Sequence, residues 1–93
     1  MKILAIEKEL IHETIPEMLL KDEATKVWEL QKAGIVREIY FTHDRKEAVI
    51  VMECENLEEA ESILANLPLV KEGCIRFSIK QLVPYNGYER LFC

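Results

Sequence analysis

Acid–base side chains occur on two apolar, strand-like segments of the sequence. Glu38 and Tyr40 share one side of a segment rich in β-branched and aromatic residues, and Glu53 lies near the end of the next such segment. A carboxyl group in an apolar cleft has a raised pKa and can act as an acid or a base, and a nearby tyrosine can orient a substrate oxygen. Glu38, Tyr40 and Glu53 are therefore candidate catalytic residues. The competing interpretation pairs Glu38 with Arg37 across strands or across a subunit interface.

His12 is a further catalytic candidate, because it follows the first apolar segment at a position where ligand clefts often open. Histidine titrates near neutrality and can move a proton. The alternative is a solvated loop residue. His43 precedes Asp44 in a polar turn and is interpreted as a turn residue. Neither histidine has a helical i, i+4 partner, so no metal site is predicted.

Three residues are candidates for substrate binding. Arg76 and Arg37 lie on strand-like segments, and a guanidinium binds a carboxylate in a bidentate manner. Salt bridges at an interface are the alternative for both arginines. Trp28 lies on the apolar side of a helical segment, where we expect a core residue that also walls a pocket. No cofactor is predicted.

The segments that position these candidates alternate between two periodicities. Apolar period two indicates strands, and apolar residues at i, i+4, i+7 and i+8 indicate a helix. The order β-α-β-β-α-β results, with a strand over 2–9, a helix from Pro16 to Ala33, strands over 35–42 and 47–54, a helix from Asn56 that Pro68 ends, and a strand from Ile75. Two interleaved right-handed crossovers predict a ferredoxin-like α+β fold, a four-stranded antiparallel sheet with both helices on one face.

The 93 residues suit a single domain, residues 1–93, with residues 84–93 as an aromatic tail. Both faces of the predicted third strand are apolar, and the helices cover one face only. Because soluble monomers rarely expose large apolar patches, we expect a homodimer through the other face. The tail is expected to dock on its own subunit or on a neighbour, where it would close the neighbour's cleft.

Composition excludes several other partners. The net charge is −5 and the basic residues are scattered, which disfavours nucleic-acid binding. The sequence contains neither an apolar run of membrane-spanning length nor a signal-peptide core, so we expect a cytoplasmic protein with no membrane partner. The odd number of cysteines, Cys54, Cys74 and Cys93, predicts reduced thiols.

The stretch from Leu64 to Val70, with its Leu67-Pro68-Leu69 turn, and the strand after it resemble muconolactone delta-isomerase. The whole chain resembles the dimeric α-β barrel superfamily, and YCII-like proteins share its layout. The resemblance implies two ferredoxin-like sheets packed face to face, and it allows larger rings of dimers. It also implies a small-molecule enzyme, and a proton-transfer isomerase or lyase of a small carboxylate is the first hypothesis. The alternative is a non-catalytic oligomeric module that binds a small ligand or serves assembly.

Overall fold

The computed structural model describes residues 1–92, so Cys93 lies outside the described residues. The elements are β1 (Lys2–Glu9), α1 (Glu17–Lys32), β2 (Val36–Phe41), β3 (Ala48–Glu53), α2 (Leu57–Ala65), α3 (Pro68–Lys71), β4 (Ile75–Leu82) and a 3₁₀ helix (Gly87–Leu91). The four strands pair in the order β2-β3-β1-β4, and all neighbours are antiparallel. The predicted ferredoxin-like α+β fold is confirmed. Within residues 1–92, the helices are too short or too polar to cross a membrane.

The sheet has an inner face, on which the helices pack, and an outer face. Ile3, Ala5, Ile50 and Met52 are buried on the inner face and form one core with Ala60, Leu64 and Leu67. Successive side chains alternate across a strand, so the residues between them point outwards. The outer face carries half-buried apolar residues at its centre, which pair across β1 and β3: Leu4 with Val51, and Ile6 with Val49.

A β-bulge at Arg37 changes which side chains of β2 face the helices. Val36 pairs with Met52, yet Glu38 pairs with Val51, so Arg37 is the extra residue. Strict alternation predicted that Val36 and Glu38 share a face, and this prediction was wrong. The bulge turns Val36 into the core, where it is 3% exposed, and leaves Glu38 on the outer face.

Helix α1 packs on the core only in part, through Val27 and Leu30 on the main cluster and Leu19 on the smaller cluster around Leu69. Its predicted apolar stripe is present, but no residue of the helix is buried. The prediction that Trp28 is a core residue was wrong, since this side chain is 59% exposed. The helix begins after Pro16, as predicted, and Gly34 follows its end with the positive φ of 80° that glycine readily adopts.

The segment between α2 and β4 differs from the prediction in one respect. The Asn56 side chain caps α2 by accepting a hydrogen bond from the backbone N–H of Glu59, as predicted. Pro68, however, begins a further short helix, α3, instead of ending α2. The reason is that proline has no N–H to lose and its fixed φ suits the first turn of a helix.

The C-terminal tail forms its own small aromatic cluster. The rings of Tyr85 and Tyr88 meet edge to face with centroids 4.8 Å apart, and Gly87 is buried beneath Tyr85. Both tyrosines and Phe92 remain exposed. The tail therefore does not bury its aromatic surface on its own subunit.

Candidate functional site

A cleft of about 620 Å³ lies between α1 and the inner face of the sheet. This volume suits a small organic molecule. All four strands contribute to its floor, including Ile39, Ile50, Ile75 and Phe77. The predicted stripe of α1 forms the opposite wall, with Leu20, Ala24, Val27 and Trp28. The stripe thus lines a cleft along most of its length, and Val27 also contacts the core.

Two aromatic side chains are exposed where they line the cleft. Trp28 projects from α1 and Phe41 from the end of β2, and Phe41 is 70% exposed. Large apolar side chains normally bury most of their surface, so two exposed ones beside one apolar cleft form an apolar surface that suits a bound ligand. Flat aromatic faces of this kind suit a planar ring.

Glu7 brings a carboxylate to the sheet side of the cleft. It lies on β1 on the same face as Ile3 and Ala5, just beyond the last residue pair between β1 and β3. Its Oε1 accepts a hydrogen bond of 3.1 Å from the backbone N–H of Ala48, the first residue of β3. Partial burial raises the pKa of Glu7 despite this bond, and the charges of Glu47 and Glu9 raise it further.

Glu23 brings a second carboxylate from the helix side. It belongs to the α1 stripe, three residues after Leu20. Its Oε1 accepts a hydrogen bond of 3.0 Å from the backbone N–H of Leu69, in the first turn of α3, where Leu67 offers no side-chain cap. Burial raises the pKa of Glu23 against the effect of this bond, and the negative charge of Glu7 raises it further.

Glu7 and Glu23 therefore form a coupled carboxyl pair on opposite walls of an apolar cleft. A negative charge on one carboxyl opposes ionisation of the other in a poorly hydrated cleft, and the charge of Glu7 raises the pKa of Glu23 in this way. One group can then accept a proton while the other donates one. The sequence predicted acid–base roles of this kind for Glu38 and Glu53 instead.

Three further polar side chains line the cleft: Glu9 at the end of β1, Gln31 on α1, and Arg45 in the turn between β2 and β3. Arg45 is the single cation in the lining formed by the described residues. The turn is tight, because the backbone N–H of Lys46 donates to the Thr42 carbonyl and Lys46 takes a positive φ of 57°. This turn holds Arg45 at one end of the cleft.

The structure does not bring Glu38 and Tyr40 into this cleft. Both lie on the outer face, where the Tyr40 hydroxyl donates a hydrogen bond of 2.9 Å to Glu38 Oε1. The bond and the charge of Glu38 raise the pKa of Tyr40, although its ring is well exposed. The bulge at Arg37 is the physical reason that Glu38 points away from the helices.

Glu53 and Arg37 are also outside the cleft. Glu53 Oε2 lies 2.6 Å from the N-terminal ammonium of Met1, and this bond is the main cause of the lowered pKa of Glu53. Arg37 is exposed, and its Nε donates to the Gly34 carbonyl oxygen. The positive charge of Arg37 lowers the pKa of Glu53 further. A carboxylate held ionised in this way is poorly suited to proton transfer.

His12 and Arg76 lie away from the carboxyl pair. His12 is exposed, and its Nδ1 lies 3.8 Å from Glu9 Oε1, so it touches the cleft only through Glu9. Arg76 is exposed and pairs in register with Lys8. It borders a separate depression of about 170 Å³ beside α2.

Of the predicted site residues, Trp28 is the one that lines the cleft. The sequence analysis missed Glu7, Glu23 and Arg45. Two of these left a signal: Glu7 continues the inward alternation of Ile3 and Ala5, and Glu23 interrupts an apolar helical stripe. A charged residue in an otherwise apolar periodic pattern marks a buried or cleft-facing position. Arg45 gave no such signal, because a turn arginine is usually solvated.

The residues that the structure describes contain no group of three or more His, Cys, Asp or Glu side chains suited to hold a metal ion. The polar groups of the cleft, Glu7, Glu9, Glu23, Gln31 and Arg45, are acid–base and hydrogen-bonding groups.

Strand order, antiparallel pairing and helices on one face define a ferredoxin-like fold, and the chain has a muconolactone isomerase-like fold. The crystal structure of muconolactone isomerase matches with a TM-score of 0.79 at 19% sequence identity, covering 94% of this chain and 93% of that one. A second match is 5-chloro-2-hydroxyhydroquinone dehydrochlorinase (TftG) from Burkholderia phenoliruptrix AC1100 in complex with 2,5-dihydroxybenzoquinone. Its TM-score is 0.57 at 21% identity, covering 91% of this chain and 96% of that one. No protein-family model matches the sequence, and no curated protein matches it significantly.

Proposed function

We propose that the protein catalyses a proton transfer on a small ring compound bound between α1 and the sheet. The observation that carries this proposal is the coupled pair Glu7 and Glu23 on opposite walls of the apolar cleft. Trp28 and Phe41 hold the ring by their aromatic faces. The two similar structures are named as an isomerase and a dehydrochlorinase of small ring compounds, which fits this class of reaction.

In the proposed step, the Glu7 carboxylate removes a proton from a saturated ring carbon whose conjugate base is delocalised over a C=C bond and a carbonyl. The C–H bond breaks, its electron pair moves into the conjugated system, and a dienolate forms. Glu23, in its protonated state, donates a hydrogen bond to the developing oxyanion. The proton then returns to a carbon two positions along, where a new C–H bond forms. The reaction is an isomerisation without net oxidation or loss of atoms.

The assignment of the two roles rests on electrostatics. The charge of Glu7 raises the pKa of Glu23, so an ionised Glu7 favours the protonated form of Glu23 that the proposed step requires. Both carboxyls have a backbone N–H partner that fixes one oxygen, so the other oxygen is free to meet a ligand. Orientation of this kind lowers the entropic part of the barrier.

Deuterium exchange tests the proposal. The enzyme is incubated in D₂O with α-angelica lactone, a butenolide that isomerises by a shift of its ring double bond, and with muconolactone. NMR then follows both isomerisation and deuterium incorporation. We expect Glu7→Gln to lower the rate about 100-fold or more and Glu23→Gln about 10-fold or more. Both variants keep a side-chain oxygen for the N–H of Ala48 or Leu69.

The matched control is Glu38→Gln, the same change on the outer face, which we expect to leave the rate within about two-fold because Glu38 does not reach the cleft. Equal losses in Glu38→Gln and Glu7→Gln would contradict the proposed site. Ligand binding at the chain's single tryptophan, Trp28, without exchange in any lactone would favour the non-catalytic binding module instead.

We further propose that two copies pack through the outer faces of their sheets. Leu4, Ile6, Val49 and Val51 form a continuous apolar centre there, which a second identical face would cover. In this assembly residues 1–93 act as one domain and the aromatic tail reaches a neighbouring copy. The same arrangement allows rings of dimers.

Sedimentation of the Ile6→Asp variant tests this assembly. A carboxylate at the centre of the outer face would be buried without a partner in the dimer, so we expect the variant to sediment as a monomer while keeping its helical circular dichroism. The control is Ser62→Asp, the gain of the same charge on the exposed side of α2. A dimer that persists in Ile6→Asp rules out this interface.

The proposed location is the cytoplasm. Cys54 and Cys74 are buried free thiols. Burial is the main cause of the raised pKa of Cys54, so its reactive thiolate form is disfavoured at neutral pH. Persistent free thiols are typical of reducing compartments.

A further inference from the structure

The charges that line the cleft determine which ring compounds can enter it. The ionisable side chains in its described lining are Glu7, Glu9, Glu23 and Arg45. With Glu23 protonated, two carboxylates face one guanidinium, and with Glu23 ionised, three do. The interior of the cleft is thus acidic in either state.

Arg45 does not reverse this balance. It lies in the same turn as Asp44, whose pKa is lowered by hydrogen bonds in the turn and by the positive charge of Arg45. The guanidinium is therefore already close to a fixed negative charge. Arg45 and Glu9 are both exposed, so water screens both charges, and the half-buried Glu7 and Glu23 are the less screened charges of the cleft.

The sheet separates basic and acidic side chains. Lys8 and Arg76 pair in register on β1 and β4, between inward-facing residues, and both are exposed. The neighbouring inward positions of β1 hold Glu7 and Glu9, which line the cleft. Lys8 and Arg76 therefore do not line the cleft, and Arg45 is the one cation in its described lining.

We infer that the substrate class is an uncharged, planar ring compound with carbonyl or hydroxyl oxygens, and not the carboxylate that the sequence led us to expect. This inference rests on the proposed function, because it concerns the same cleft. A ring carboxylate entering the cleft would lose hydration and meet Glu7 and Glu9. An uncharged ring meets apolar walls, two aromatic faces, and hydrogen-bonding partners in Glu23 and Gln31.

Two lactones that differ in one substituent test the inference. α-Angelica lactone carries a methyl group on its butenolide ring, and the matching enol lactone carries a carboxymethyl group at the same position. Trp28 fluorescence measures the dissociation constant of each lactone. We expect the methyl lactone to bind about ten-fold or more tightly than the carboxymethyl lactone. Equal or tighter binding of the carboxymethyl lactone overturns the inference, as does the failure of both lactones to change Trp28 fluorescence at millimolar concentration.

Two variants identify the cause of the selectivity. Glu9→Gln removes a cleft charge outside the proposed catalytic pair, and we expect it to tighten carboxymethyl-lactone binding about three-fold or more without affecting the methyl lactone. Arg45→Gln is the converse control. If it weakens the carboxymethyl lactone about ten-fold, Arg45 binds the ligand carboxylate and the inference is wrong.

Failure of the inference is distinguishable from failure of the proposed function. The ratio of the two dissociation constants decides the substrate class, with no need for turnover. Deuterium exchange and its loss in Glu7→Gln decide the catalytic role. A neutral lactone that binds tightly but does not exchange would retain the inferred ligand class and reject the enzyme.

Discussion

The two faces of the sheet carry similar residue types in different environments. The outer face holds Glu38, Tyr40 and Glu53, and the inner face holds Glu7 with Glu23 across the cleft. The pKa of Glu53 is lowered because it binds the N-terminal ammonium in water. The pKa values of Glu7 and Glu23 are raised mainly because burial removes water, and neighbouring carboxylates raise them further. Acid–base capacity in this molecule follows from desolvation, and not from the presence of a carboxylate beside a tyrosine.

The two faces of the sheet also differ in what covers them. The inner face is covered partly by α2 and partly by α1. The cleft lies between α1 and the sheet, and accordingly no residue of α1 is fully buried. The outer face has no covering element among residues 1–92, and its apolar centre is half-buried only by its own neighbours. The inner face thus has a cleft that suits a small ligand, and the outer face has an uncovered apolar centre that suits a second copy.

The largest expected effect is a difference in unfolding free energy between substitutions at two adjacent residues of β1, one on each face. Ile3 is fully buried on the inner face, and Leu4 is half-buried on the outer face. We expect Ile3→Ala to lower the free energy of unfolding by about 3 kcal/mol, through lost burial and a cavity. Leu4→Ala should cost about 1 kcal/mol in dilute solution. Urea denaturation at two protein concentrations measures both.

Protein concentration further distinguishes the stability costs of these two variants. If a second copy covers the outer face, the cost of Leu4→Ala rises with protein concentration while that of Ile3→Ala does not, because only Leu4 gains burial in the dimer. Equal costs for both variants at low concentration would contradict the assignment of the two faces.

Much of the fold was predictable because local patterns encode it. The period-two pattern predicted β1 over the residues that form it, Lys2–Glu9, and Asn56 with Glu59 marked the start of α2. The bulge at Arg37 was not predictable, because it arises from pairing between strands. The partial packing of α1 on the core was not predictable either, and it leaves the cleft that Glu7 and Glu23 both line. Site residues therefore could not be chosen from sequence pattern alone.

A smaller effect concerns the pH dependence of stability, which has opposite sign for the two faces. Glu7 and Glu23 have raised pKa values in the folded state, so the stability they confer is present below the unfolded value of about 4.3 and is lost as pH rises through the folded values. Glu53 has a lowered pKa, so its contribution is present above the unfolded value and is lost as pH falls.

The variant Glu23→Gln tests this sign. We expect it to be more stable relative to the native protein at pH 8 than at pH 4, by about 0.5–1 kcal/mol, since solvent screens a half-buried carboxyl. Glu53→Gln should show the reverse trend, with its deficit greatest at neutral pH. Thermal unfolding across this range measures both trends, and parallel profiles would show that burial does not distinguish the two carboxyls.

The smallest expected effect concerns Tyr40 and Glu38. Tyr40→Phe removes an exposed hydrogen bond, so we expect little change in the free energy of unfolding. Glu38→Gln should move the pKa of Tyr40 down towards its ordinary value, because the carboxylate that raises it is gone. NMR titration of the Tyr40 ring measures this shift separately from Tyr85 and Tyr88. If Tyr40 keeps its raised pKa in Glu38→Gln, a second copy must desolvate its ring, and the outer face is then covered in solution.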